Sequence, residues 1–92
     1  MVLISESSLA NDNGELFLVR YSTDPRMLED VLEALAAAPF PINPQIHHAR
    51  LTVIEFPLYS SQLDQLEWTL RSHAIPLAGL SATPMLEELR RA

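Results

Sequence analysis

Ninety-two residues, 48% of them hydrophobic and 20% charged, describe one compact globular domain. A chain of this size buries only about 60 to 65% of the surface its unfolded form exposes, so its margin of stability is thin. Cysteine and lysine are both absent, which removes disulfides, thiolate nucleophiles, iron–sulfur clusters, cysteine zinc sites, Schiff-base chemistry and the lysine of a phosphate loop. The formal net charge is −6, and the six cations are arginines at positions 20, 26, 50, 71, 90 and 91, scattered except for the last pair. With no basic stripe to displace counterions, neither nucleic acid nor an anionic membrane is an expected partner.

At the N-terminus, Met1-Val2-Leu3-Ile4 turns polar at Ser5-Glu6. Without a basic leader or an apolar span, this reads as a cytoplasmic protein. Asn13-Gly14 is a hairpin signal, so residues 2–9 are candidates for an extra strand folding back on the first clear one, residues 16–21. Asp24 then caps a helix with Pro25 in its first turn, and Leu28, Val31, Leu32 and Leu35 fall on one face over 25–38. Pro39, Pro41 and Pro44 stop it and lead into a short edge strand at 45–48.

The β-branched density of residues 51–56 predicts a central strand, ended by Pro57. Ser61 with Asp64 forms a capping-box variant opening a second helix, with Tyr59, Leu63, Leu66 and Leu70 along one face as far as Ser72. Residues 77–82 read as a weak last strand. Thr83-Pro84 opens a short C-terminal helix carrying Met85, Leu86 and Leu89, with a fraying polar end at 87–91. No repeat or linker divides the chain, so residues 1–92 are one domain: an extension or extra strand over 1–13, a core over 14–82 and the helix over 83–92.

Strand, helix, strand, strand, helix, strand is the order of the ferredoxin-like βαββαβ sandwich, an α+β fold with an antiparallel sheet and both helices on one face. A competing layout gives the slot of the last strand to the N-terminal one. Both central strands are apolar on each side, Leu16 and Leu18 standing opposite Phe17, Val19 and Tyr21. Two helices cover a single face, so the other is expected to be covered by the termini or by a second subunit stacking sheet on sheet, and the latter predicts a homodimer.

Candidate site residues are few. His47 and His48 point to opposite faces of a strand and do not readily share a metal, although either can combine with His73 or Glu55. Glu55 interrupts the most apolar strand, on the side of Leu51 and Val53, and pairs with a nearby arginine, Arg20 or Arg50, or stands buried as an acid or base. The serines at 5, 7, 8, 60 and 61 lack a nucleophile elbow, and Gly14 and Gly79 are too few for a phosphate nest. Trp68 falls nearly opposite the Leu63, Leu66, Leu70 stripe, so it is expected to face outward. It joins Leu16 and Leu18 as a candidate interface residue.

The element order over residues 14–82 resembles that of ACT-type and related small ferredoxin-like regulatory modules, which bind amino acids or other small effectors at subunit interfaces. The glycine that such modules often carry after the first strand is absent from Ser22-Thr23-Asp24-Pro25. A strand ending in Glu55-Phe56-Pro57 before a helix is also similar to stand-alone bacterial domains of this size to which no activity is assigned.

The expected function is a non-enzymatic, dimeric module binding a partner protein or small effector, with no cofactor and no metal. The candidates for ligand contact are Glu55, His47 and His48. The alternative is a small dimeric enzyme using Glu55 or a histidine as acid or base, and a third reading is a structural assembly subunit.

Overall fold

The computed structural model describes residues 10, 11 and 14–91, with side chains over 14–90. The elements run β1 (Ala10–Asn11), β2 (Gly14–Thr23), a 3-10 turn (Pro25–Met27), α1 (Leu28–Ala36), β3 (Gln45–His48), β4 (Thr52–Tyr59), α2 (Ser60–Ser72), β5 (Leu80–Pro84) and α3 (Met85–Arg91). It is an α+β fold. The sheet is antiparallel throughout, with β2 and β4 central, β3 beside β4, and β5 along the other edge of β2.

β1 pairs only at Ala10 opposite Glu15 and Asn11 opposite Gly14, on a stretch of β2 beyond the one β5 uses. β5 therefore holds the slot for which the N-terminal strand was a competitor. The extra strand expected over residues 2–9 lies outside the described residues.

Pleating explains the layering. Register places Val19 opposite Phe56 and Tyr21 opposite Ile54, so these side chains share one face, where they are buried with Leu58. The helical period brings Val31, Ala34 and Leu35 of α1 and Leu66 and Leu70 of α2 onto that face, completing a single core with Ile75. Tyr21 closes the core by donating its hydroxyl to the Pro76 carbonyl at 2.5 Å.

Local chemistry sets the boundaries, and several differ from expectation. Asp24 does cap, accepting from the Arg26 amide at 2.9 Å, but it starts a 3-10 turn that becomes α-helical only at Leu28. β4 runs on through Pro57 to Tyr59, because β3 reaches only as far as Glu55 and Pro57 thus falls on an edge stretch, where a strand accepts proline. Tyr59 consequently ends β4 instead of joining the helical stripe. Ser61 is not the cap of α2: the helix begins at Ser60, Gln62 Oε1 accepts from the Tyr59 amide at 2.9 Å, and the Ser60 hydroxyl accepts from the Glu15 amide.

The last strand is shifted to Leu80–Pro84. Residues 77–80 form a turn, with the Leu80 amide on the Leu77 carbonyl, and the Gly79 carbonyl accepts from Ser22. A side chain on Gly79 would bring its Cβ within 2.3 Å of the Ser22 carbonyl oxygen, so the approach of this turn to β2 requires glycine. No helix among the described residues is long and apolar enough to cross a membrane.

Candidate functional site

The face of the sheet turned away from α1 and α2 carries alternate residues: Leu16, Leu18 and Arg20 of β2, Val53, Glu55, Pro57 and Tyr59 of β4, and Gln45 and His47 of β3. Arg20 stands directly opposite Glu55. Its Nε donates to Glu55 Oε2 at 2.5 Å, while its terminal nitrogens reach Glu88 of α3, the shorter contact being 3.1 Å to Oε1. His47 Nε2 lies 3.1 Å from the remaining oxygen of Glu55. Four side chains from three strands and a helix thus form one chain of polar contacts, His47–Glu55–Arg20–Glu88.

Hydrogen bonds from Arg20 to Glu88 and then to Glu55 raise the guanidinium pKa above its already high ordinary value, so the centre of this chain is a permanent cation. Glu55 is half-buried with each oxygen engaged. The carboxylate is held as a strut between β2 and β3, which is the arginine-paired arrangement and not the isolated buried acid. Of the two arginines weighed for that pairing, Arg20 supplies it.

The Arg20–Glu88 contact also fixes the position of α3. Because Arg20 points away from the core, the helix that reaches it lies over the otherwise open face, packed against β2 and β5. The C-terminus therefore supplies part of the cover, and the end expected to fray contributes Glu88 to the network. Leu16, Leu18, Val53 and Tyr59 are half-buried, and Pro57, Gln45 and His47 remain exposed.

His48 points to the helix-covered side, exposed at the sheet edge, with Nδ1 3.5 Å from Thr52 Oγ1. His73 lies at the C-terminus of α2, its Nδ1 3.0 Å from the Thr69 carbonyl oxygen, apart from the other two histidines. Among the described residues, no group of three or more His, Asp and Glu side chains is placed to hold a metal ion.

Trp68 projects from the outer surface of α2 with 71% of its surface exposed. It walls a recess of about 320 Å³ lined also by Gln65, Thr69, Ala37 and Pro39. The recess exists because the chain leaving α1 is a run of small residues, Ala36 to Ala38, ended by Pro39. A smaller crevice of about 140 Å³ lies between α2 and β5, bounded by Leu63, Leu66, Glu67 and Leu80. The three candidate interface residues occupy opposite surfaces: Leu16 and Leu18 lie on the open side of the sheet, and Trp68 lies outside the helix layer. No single flat contact includes them all. Neither a protein-family model nor a curated protein matches this chain.

Proposed function

We propose that this chain is a ferredoxin-like, non-enzymatic module that self-associates through the open face of its sheet and presents the opposite, helical side to a partner protein. The order β5-β2-β4-β3, with a helix between β2 and β3 and another between β4 and β5, supports the ferredoxin-like reading. The likeness to ACT-type regulatory modules rests on that order of elements.

The observation that carries the functional reading is the composition of the open face. Leu16, Leu18, Pro57 and Tyr59 form an apolar strip across β2 and β4, and the charges beside it are tied to one another, Arg20 holding both Glu55 and Glu88. Such a strip removes apolar area from water when it meets a second copy of itself. The engagement of both Glu55 oxygens speaks against its serving as a free general base.

The test is the solution mass across a concentration series of the wild type, Leu18→Glu and Trp68→Ala, each checked for retained secondary structure. A wild-type dimer that dissociates on Leu18→Glu and persists in Trp68→Ala is expected. A wild-type monomer at micromolar concentration overturns sheet stacking. Turnover of a substrate that is lost in Glu55→Gln replaces the non-enzymatic reading with the catalytic one.

A further inference from the structure

The helix layer differs in charge from the sheet face. α1 carries Glu29, Asp30 and Glu33, α2 carries Asp64 and Glu67, and the sole cation on the two helices is Arg71. Apart from Glu67, which is half-buried, these carboxylates are exposed, and none of the five belongs to an ion pair among the described residues. Both acids of the sheet-face network, Glu55 and Glu88, pair with Arg20, whereas those of the helix face have no ion-pair partner among the described residues.

The Trp68 recess opens on this uncompensated surface. By helical spacing Asp64 stands one turn before Trp68, Arg71 one turn after it, and Glu33 one turn before Ala37, so two acids and one cation border the recess and its surroundings are acidic on balance. Its lining is mainly apolar, an indole wall above alanine, proline and the threonine stem, with the Gln65 amide offering a donor and an acceptor. An aliphatic or aromatic side chain inserted there would cover the most exposed large hydrophobic side chain among the described residues.

We propose that the recess beside Trp68 is the docking site for a cationic segment of a partner protein, which inserts one or two large apolar side chains against the indole and sets arginine or lysine opposite Asp64 and Glu33. The inference deepens the partner-binding half of the reading above and is independent of whether the sheet face dimerises. A second copy of the chain is the poorer occupant, because it lacks lysine, carries a net charge of −6 and would set two acidic helix layers against each other.

The test is selection of 12-residue random peptides displayed on phage against the full chain, counter-selected on Trp68→Ala. Selected sequences are expected to require Trp68 and to place arginine or lysine beside a large apolar residue. A synthetic peptide of the leading sequence should shift the emission of Trp68, the single tryptophan, to the blue. Its affinity should fall roughly threefold to tenfold in Asp64→Asn/Glu33→Gln and also fall with added salt. Peptides that bind Trp68→Ala equally well overturn the site while leaving a binding module in place, and recovery of neutral or acidic sequences overturns the charge assignment. A blue shift that grows with protein concentration and no peptide overturns the proposal in favour of a second copy, and recovery of no binding sequence at all counts against both the site and the partner-binding reading.

Discussion

Arg20 and Glu55 face each other across the β2–β4 ladder, and the same guanidinium holds Glu88 of α3. One arginine thereby joins the two central strands to the C-terminal helix. α3 has seven residues, too few to persist as an isolated helix, so its order depends on packing and on this anchor. The pairs are partly open to water, which limits each to about 1 kcal/mol. Arg20→Met is expected to destabilise the domain by about 1 to 2 kcal/mol. The loss of amide protection should concentrate in residues 85–91. A double-mutant cycle of Arg20→Met with Glu88→Gln measures the coupling, expected at about 0.5 to 1 kcal/mol. A coupling of zero would mean that the Arg20–Glu88 pair does not hold α3 in place.

Tyr21 is buried, its hydroxyl donates to the Pro76 carbonyl, and burial raises its pKa above the ordinary 10.0. The folded state therefore holds this proton more tightly than the unfolded state. The resulting stability is fully present below the unfolded pKa and is lost as pH rises through 10 toward the higher folded value. Denaturant midpoints taken from pH 8 to 11 are expected to fall for the wild type. Tyr21→Phe should start about 1 kcal/mol lower through the lost hydrogen bond and decline less over the alkaline range. Parallel declines would place the alkaline sensitivity elsewhere.

Much of the architecture is legible in short-range pattern. Leu28, Val31 and Leu35, and likewise Leu63, Leu66 and Leu70, repeat at helical spacing, and each set packs against the core. Alternation in β2 and β4 separates Val19 and Tyr21 from Leu18 and Arg20, and it puts Glu55 on the side of Val53. The outward position of Trp68 follows from the same arithmetic. What escaped sequence reasoning depends on non-local geometry. Pro57 ends a strand by its local rule, yet β4 continues because its neighbour β3 is four residues long and stops short of it. Glu88 sits in a polar stretch with no periodic signature, and only the passage of α3 onto the open face brings it to Arg20. The sequence leaves Glu55 open as a partner for either histidine, and that His47 is the one to reach it depends on the β3–β4 register, which the spacing of two histidines does not reveal.

The end of α2 offers a test of backbone strain. Ala74 adopts φ 59°, the left-handed region, just after the helix. Its amide donates to the Arg71 carbonyl and the Ile75 amide to the Leu70 carbonyl, the paired bonds of a Schellman stop. The accompanying hydrophobic contact is present too, since Ile75 and Leu70 are both buried in the core. Glycine is the residue that normally occupies this place, because a Cβ costs roughly 1 to 2 kcal/mol in the left-handed conformation. Ala74 is exposed, so removing its methyl group sacrifices little packing. Glycine also has more freedom to lose from the unfolded chain, which offsets part of the relief. Ala74→Gly is accordingly expected to raise stability by about 0.5 to 1 kcal/mol, read as a higher urea midpoint with an unchanged slope. Ala74→Val, β-branched at the same φ, should lower it. A gain from valine, or a loss from glycine, would show that the positive φ is not the strained element of this helix end.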